Sequence, residues 1–492
     1  MSLCMPLGAL LPELPEPLSQ REICGISLDA RHLRPGELFI ARAGVKHHAT
    51  DFLGQAAQAG AVAALIDAQY LAEPLLDTAM PVWPLEDFEA RLGWLVSAFY
   101  GHPSNKLKVI GITGTNGKTS TTHFLAQALN ALHKPCALMG TIGNGFLDQL
   151  QASTHTTPDL VRVHALLAQY QAQGAQYVAM EVSSHALDQG RVAGVHFQAA
   201  GFTNLTRDHL DYHPDMTHYA ASKAKLFQQP LDYAFLNLDD ACAQEWMRTL
   251  PQSFLTYSLD KPEADIYLAD VQLQPQGMSA RLVTPWGEAA LETPLLGHFN
   301  LSNLLLTAGL LGVQGFTLTE VVSALAQVQP VQGRLQVVSR EDEPLVLVDY
   351  AHTPDALEKV LVALKAHRRA EGKLILVFGC GGDRDKGKRP LMAAVAEAWA
   401  DELVITSDNP RYEAPEQIIE EVCAGLHGRL QPQIEVDRAQ AITYALDQAE
   451  VKDIVLIAGK GHETYQEVGA QRFPFSDQEI AQQVLALRRQ QA

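Results

Sequence analysis

Apolar residues recur along the chain in two alternating rhythms, short unbroken runs and sets spaced like one face of a helix. That alternation predicts parallel sheets with helical crossovers. The run Val109-Ile110-Gly111-Ile112 is followed by Phe124, Leu125, Ala128, Leu129 and Leu132 at helical spacing. Further strands are expected at 177–182, 199–203 and 233–238. Before them, up to about residue 103, apolar runs at 37–41 and 61–66 mix with turn residues and describe a small α/β unit. A third unit is expected after the segment Val331-Gln-Gly-Arg-Leu335, with a strand at 345–349 and then a helix on which Leu357, Val360, Leu361 and Leu364 fall at i, i+3, i+4 and i+7. Thr353 is its expected N-cap, and Pro354 takes the first helical position. Strands at 374–378, 402–406 and 453–458 each run into a polar or glycine-rich loop, and in doubly wound sheets ligands bind beside such carboxyl ends. The expected fold is α/β with three domains, 1–103, 104–333 and 334–492, the last of them Rossmann-like and doubly wound.

Length agrees with three units, since 492 residues at roughly 100–200 per domain give about three. Hydrophobic residues make up 47% and charged residues 19%, as in ordinary globular chains, which excludes wholesale disorder. A formal charge of −19 without a basic run argues against a nucleic-acid partner. No apolar stretch approaches the roughly 20 residues that cross a bilayer, so no membrane association is expected. The apolar, proline-rich segment 1–18 lacks a basic stretch and is not expected to be a signal peptide. Six cysteines, at 4, 24, 136, 242, 380 and 423, show no CxxC pairing and are expected as free thiols of a reducing, cytoplasmic compartment.

The strongest chemical signal is Gly111-Ile-Thr-Gly-Thr-Asn-Gly-Lys-Thr119, between an expected strand and an expected helix. Glycines let backbone N–H groups approach phosphate oxygens, and the helix N-terminus adds positive potential. Lys118 can reach the β- and γ-phosphates and the Thr119 hydroxyl can ligate magnesium, so this is read as a P-loop for a nucleoside triphosphate. Gly114, Thr115, Asn116, Gly117, Lys118, Thr119 and Ser120 are its candidate contacts. The usual pattern places its first glycine where this chain has Ile112, and Gly111 stands one residue early. A glycine-rich turn with a solvated lysine is the plain alternative. Glu181 and His209 each lie at or just past an expected strand end, where a carboxylate and an imidazole can face the loop; as isolated residues they read more readily as hydrogen-bonded structural groups than as ligands.

Five segments in order, namely the Thr-Gly-Thr-Asn-Gly-Lys-Thr loop, Met180-Glu-Val-Ser-Ser-His185, Phe202-Thr-Asn-Leu-Thr-Arg-Asp-His-Leu-Asp-Tyr212, Asp349-Tyr-Ala-His-Thr-Pro-Asp355 and Gly459-Lys-Gly-His-Glu463, resemble the Mur ligases of peptidoglycan synthesis over nearly the whole chain. The nearest branch is the one that adds the third amino acid. The resemblance implies a central ATPase domain, an N-terminal domain for a UDP-linked sugar and a C-terminal domain for the incoming amino acid, in a monomer. It implies ATP with two magnesium ions held by Thr119, Glu181, His209 and a carbamylated Lys223, with Lys225 as the neighbouring alternative, and Lys118, Lys223 and His209 as the catalytic set. Asn300 and Arg334 match further nucleotide contacts.

For the UDP-N-acetylmuramoyl-dipeptide, Leu28, Ala30 and the loop Val45, Lys46 and His47 match contacts to the uridine-linked sugar. His155, Thr156, Thr157, Ser183, Gln189 and Arg191 match contacts to its peptide and pyrophosphate portions. Ala30 stands where close relatives have serine, and His155 where they have asparagine. Thr156-Thr157-Pro158 also reads as a helix start. Arg384, Asp408, Asn409, Pro410, Arg411, Gly459 and Glu463 match contacts to meso-diaminopimelate. A planar guanidinium at Arg411 can grip the second carboxylate, which lysine lacks, and Glu463 can meet an ammonium. Losing that carboxylate would leave the guanidinium unpaired, so discrimination is expected to be large. As sequence, Asp-Asn-Pro-Arg is also an ordinary turn. The implied reaction is ATP-dependent amide formation through an acyl phosphate. Its alternatives are a lysine-adding or folylpolyglutamate synthetase-like ligase, or a non-catalytic nucleotide-binding regulator.

Overall fold

The computed structural model describes residues 4–43, 48–71, 73–76, 80–210, 212–274, 277–340 and 342–491. Three larger sheets follow one another along the chain. In the first, Gly25–Ser27, Glu37–Ala41, Ala63–Asp67 and Val82–Leu85 pair in that order, all parallel. Among the described residues the second has ten strands, and seven of them, Ile266–Gln274, Leu255–Ser258, Tyr233–Asn237, Ala199–Phe202, Lys108–Thr113, Tyr177–Glu181 and Cys136–Met139, form a continuous parallel core. The third pairs Leu345–Asp349 with Ile454–Ala458, Leu374–Phe378, Glu402–Ile405 and Gln433–Ile434 in parallel, with Gln336–Val337 antiparallel at one edge.

The parallel strands read as unbroken apolar runs because helices cover both faces. Val109, Ile110 and Ile112 are fully buried, one face packing on helices Lys118–Ala131 and His298–Gly312 and the other on Leu160–Ala172. Gly111 belongs to this strand rather than to the loop. A Cβ there would come within 2.9 Å of the Phe197 ring, so packing accounts for the glycine that stands one residue early.

The central sheet is mostly parallel, as expected, with Gly277–Thr284 and Gly287–Thr293 added at one edge as antiparallel strands and Asn144–Phe146 at the other. Two other expectations are corrected. Cys4 and Cys24 form a disulfide, brought side by side by the antiparallel pairing of Met5 with Ile23; Cys136, Cys242, Cys380 and Cys423 are free. The helix after Thr156-Thr157-Pro158 starts at Leu160, with Asp159 capping the Arg162 N–H, so the threonines stay in the loop. Thr353 caps the helix Pro354–His367 as expected. Among the described residues, no helix is long and apolar enough to cross a membrane.

The second and third sheets are tied together. His367 bonds the Gln274 carbonyl at 2.7 Å through Nδ1 and receives the Gly297 N–H at 3.1 Å on Nε2. Asn116 Nδ2, in the glycine loop, donates to Asp355 Oδ2 at 3.3 Å. Asp355 lies just past the carboxyl end of Leu345–Asp349. Because the neighbouring strands run parallel, the loops after Phe378, Ile405 and Ala458 leave from that same edge, which is turned toward the glycine loop.

Candidate active site

The glycine loop connects the strand Lys108–Thr113 to the helix Lys118–Ala131. Gly114 and Gly117 have φ of +147° and +86°. A Cβ at Gly114 would lie 1.9 Å from Thr203 Oγ1, and one at Gly117 would lie 2.6 Å from Asn303 Oδ1, so only glycine permits this close approach. Lys118 Nζ donates to the carbonyls of Gly114 and Thr115, both at 2.8 Å. Burial pushes the Lys118 ammonium below its ordinary range, against the attraction of Glu181 and Asp208.

Beside the loop, Thr119 Oγ1 donates to Glu181 Oε2 at 2.8 Å. Glu181, at the end of the strand Tyr177–Glu181, also accepts from the Thr141 N–H at 2.8 Å and the Thr141 hydroxyl at 3.2 Å. Its carboxylate rests against Gly140, where a Cβ would come within 2.2 Å of Oε1. A hydroxyl and a carboxylate in contact make a hard-oxygen donor pair of the kind magnesium takes. Among the described residues, no group of three or more His, Cys, Asp or Glu is gathered to hold a metal by itself.

Lys223, on the helix Met216–Ala224, is only 1% exposed, and its Nζ donates to the Gly114 carbonyl at 2.7 Å. Burial, reinforced by the nearby Lys118 charge, pushes this amine well below its ordinary range. Lys225 points elsewhere and pairs with Asp188 at 2.8 Å. His209 takes a left-handed backbone, φ +53°, and its ring stands edge-on to His185 at 4.9 Å and to Tyr219 at 6.0 Å. Tyr219 links this ring cluster to the loop: its ring lies 4.4 Å beneath Lys223 Nζ and its hydroxyl meets Thr115 Oγ1 at 3.2 Å.

Asn300 lies behind the loop and receives Asn303 Nδ2 at 3.1 Å, while Asn303 accepts from Thr121. Arg334 lays its guanidinium on the Tyr350 ring at 4.6 Å, and its Nε is buried without a hydrogen-bond partner. That unpaired donor suits an anionic ligand oxygen. Neither Tyr350 nor Asp208 is singled out from sequence, because what marks them, the Arg334 guanidinium on the Tyr350 ring and the attraction of Asp208 for Lys118, joins residues apart in the chain.

Several expected dipeptide contacts converge. Thr157 Oγ1 donates to the Glu181 carbonyl at 2.8 Å and accepts the Ser183 N–H at 3.1 Å, while Arg191 donates to the Thr157 carbonyl and, through two nitrogens, to Gln189 Oε1. Thr156 meets Thr141 at 3.1 Å. His155 is exposed and bonds Thr154, apart from that network. Leu28 and buried Ala30 follow the strand Gly25–Ser27 in the first sheet. Val45, Lys46 and His47 lie outside the described residues.

In the third sheet, Asp408, Asn409, Pro410 and Arg411 form the loop after Glu402–Ile405, and Gly459 and Glu463 follow Ile454–Ala458. Asn409 Nδ2 donates to Glu463 Oε2 at 2.9 Å. A Cβ at Gly459 would come within 2.6 Å of Asp408 Oδ2. Arg384 is exposed, with its stem near Gly381. Sequence reasoning missed Lys460, whose fully buried ammonium donates to Asn409 Oδ1 at 3.0 Å and Glu463 Oε2 at 3.1 Å. It also missed Glu467, which accepts from Arg411 Nε at 2.9 Å. The Arg411 guanidinium therefore has a carboxylate partner within the chain, which corrects the expectation that a missing ligand carboxylate leaves it unpaired.

Comparison with known proteins adds three findings. Residues 112–311 match the family described as Mur ligase middle domain, and residues 333–461 match Mur ligase, glutamate ligase domain. The chain is 48% identical over 98% of its length to the UDP-N-acetylmuramoyl-L-alanyl-D-glutamate--2,6-diaminopimelate ligase of Ectopseudomonas mendocina, of which 98% is covered. The like-named protein of Coxiella burnetii is 45% identical, over 94% of this chain and 96% of that one. A solved structure of a ligase of that name superposes with a TM-score of 0.74 at 38% identity, covering 99% of both chains. A Mycobacterium tuberculosis folylpolyglutamate synthase, at 18% identity and a TM-score of 0.60 over 74% of this chain and 91% of its own, shares the fold.

Proposed function

The chain belongs to the Mur ligase family, and on that premise we propose that it joins meso-2,6-diaminopimelate to UDP-N-acetylmuramoyl-L-alanyl-D-glutamate with cleavage of ATP, in the making of peptidoglycan precursors. One observation carries this reading: the Asn116–Asp355 contact, which turns the carboxyl edge bearing Arg411 and Glu463 toward the phosphate loop. Nucleotide chemistry and amino-acid recognition then share one cleft.

A carboxylate is a poor electrophile, so the D-glutamate side chain is first phosphorylated by ATP. The neutral diaminopimelate amine attacks the resulting acyl carbon, the C–N bond forms, phosphate leaves with the C–O electron pair, and the nitrogen gives up one proton to yield the neutral amide. Lys118, released from the carbonyls of Gly114 and Thr115, offsets charge on the phosphoryl oxygens. The backbone of Gly114 to Gly117 and the N-terminus of the following helix orient the phosphates. Asn300 and Arg334 complete the nucleotide contacts, the free Arg334 Nε meeting an anionic oxygen.

The Thr119–Glu181 oxygen pair suits magnesium, whereas an amine at Lys223 does not. A neutral Lys223 amine adds carbon dioxide, releasing one proton and becoming an oxygen donor. Thr119, Glu181, His209 and carbamylated Lys223 are the proposed holders of two magnesium ions, which when bound supply positive charge beside the transferring phosphoryl group.

Residues 1–103 would hold the UDP-sugar through Leu28, Ala30 and the loop 45–47. Residues 104–333 would hold ATP and, through His155, Thr156, Thr157, Ser183, Gln189 and Arg191, the rest of the acceptor. Residues 334–492 would hold diaminopimelate. A cytoplasmic monomer completes the reading. It is tested by mass spectrometry of the product formed from UDP-dipeptide, ATP and diaminopimelate: the UDP-tripeptide with equimolar ADP and phosphate supports it, and ATP binding without amino-acid-dependent phosphate release defeats it.

A further inference from the structure

The loop 408–411 is not an independent turn. Directly after Glu463, a hairpin of Tyr465–Val468 and Gln471–Pro474 folds back along it. Gln466 Nε2 donates to Ser407 Oγ at 3.0 Å and to the Asp408 carbonyl at 2.6 Å. Glu467 engages the next residues with three separate groups. Its N–H donates to Asn409 Oδ1 at 2.9 Å, its carbonyl accepts the Arg411 N–H at 3.0 Å, and its carboxylate accepts Arg411 Nε at 2.9 Å. The Gly469 N–H closes the ladder on the Arg411 carbonyl at 2.7 Å.

These bonds hold Arg411 in a left-handed conformation, φ +50°, that a non-glycine residue keeps only under constraint. They also fix its guanidinium. Nε is held by Glu467 and Nη1 by the Gly382 carbonyl at 2.9 Å, so the plane of the fork is set before any ligand arrives. A planar fork favours bidentate recognition most when it is already aimed, because a freely rotating arginine loses rotamer entropy on binding. The other Glu467 oxygen is taken by Arg472, with both contacts at 2.9 Å and Arg472 itself on the surface.

We infer that Glu467 is a specificity-determining positioning residue, which aims Arg411 and Asn409 at the second carboxylate-bearing centre of the incoming diamino acid and keeps Arg411 paired while that centre is absent. The inference rests on the diaminopimelate reading above. Preference for the dicarboxylic substrate then arises from a pre-aimed fork rather than from an unpaired cation, and lysine gains nothing from the aiming.

The test is steady-state kinetics on Glu467→Gln and Arg472→Gln in the full chain. For Glu467→Gln the KM for diaminopimelate rises about tenfold, the KM values for ATP and UDP-dipeptide stay within twofold, and the diaminopimelate-to-lysine ratio of kcat/KM narrows by a similar factor. Arg472→Gln perturbs the same hairpin but leaves the Glu467–Arg411 contact, and its diaminopimelate KM stays within twofold. Should Glu467→Gln not fold, Glu467→Asp, with a shorter arm, is measured instead and shows the same selective rise. An unchanged diaminopimelate KM, a parallel change in all three KM values, or an equal effect of Arg472→Gln overturns the inference. Wild-type enzyme runs alongside: if it makes no diaminopimelate product, the functional reading fails, whereas a wild type that does so beside an indifferent Glu467 variant defeats only this inference.

Discussion

Lys118 and Lys223 donate to one and the same oxygen, the carbonyl of Gly114, at 2.8 and 2.7 Å. Two cations on one acceptor in a buried place repel each other, and burial together with that repulsion favours the neutral form of the more deeply buried Lys223. A neutral amine next to the phosphate loop is what carbamylation requires, and a phosphate drawing Lys118 away relieves the crowding.

Lys118→Ala therefore removes charge stabilisation from the phosphoryl group. ADP formation measured with saturating substrates is expected to fall by at least about 10²–10³-fold. Turnover like that of the wild type would remove Lys118 from the mechanism.

Lys223 gives a separate prediction. Depleting bicarbonate lowers activity reversibly, and enzyme equilibrated with 13C-bicarbonate shows a carbamate carbon by NMR that is absent from Lys223→Ala. Lys225→Ala keeps normal activity and the signal, because Lys225 pairs with Asp188 away from the loop. A carbamate signal that vanishes with Lys225 instead would reverse the assignment.

Gly140→Ala tests the placement of Glu181. A Cβ 2.2 Å from Glu181 Oε1 has to displace the carboxylate from Thr119 and Thr141. The magnesium concentration for half-maximal activity is expected to rise several-fold, while the far-UV circular dichroism spectrum is kept. An unaltered magnesium requirement would count against Glu181 as a ligand.

Much of the fold and of the phosphate loop is legible in the chain because it is local. The loop is contiguous in sequence, and buried parallel strands announce themselves as apolar runs, so the strands at 345–349 and 374–378 are readable at their observed bounds. The edge strands Ile266–Gln274, Gly277–Thr284 and Gly287–Thr293 were missed because they mix buried and exposed residues and carry charges. Glu467 was missed for a different reason: its strand is polar and only partly buried, and its role consists of contacts to residues 56 and 58 positions away. Lys460 reads as an ordinary surface lysine until Asn409 and Glu463 are folded around it.

Stability should depend on His164. Its ring is buried, Nε2 donates to the Ala193 carbonyl at 2.9 Å, and Nδ1 has no partner, so burial lowers its pKa from 6.5 to about 4. Between those values the unfolded chain binds the proton more readily. The contribution is therefore fully present above pH 6.5, is lost as the pH falls toward 4, and amounts to about 3 kcal/mol at most. Urea unfolding at several pH values checks this, and His164→Gln should flatten the slope over that window; an unchanged slope would place the acid sensitivity elsewhere.

Arg411→Lys keeps a cation but loses the fork. The kcat/KM for diaminopimelate is expected to drop about 10²-fold while ATP affinity, measured by calorimetry, is unchanged. Equal losses for both ligands would indicate a general disturbance of the cleft.

The most direct measurement follows oxygen. With the D-glutamate side-chain carboxylate of the UDP-dipeptide labelled with 18O, one labelled oxygen per turnover should appear in inorganic phosphate, and only when diaminopimelate is present to complete the reaction. Phosphate released without that label would contradict the acyl phosphate, and with it the transfer of the nucleotide's terminal phosphoryl group to the acceptor carboxylate.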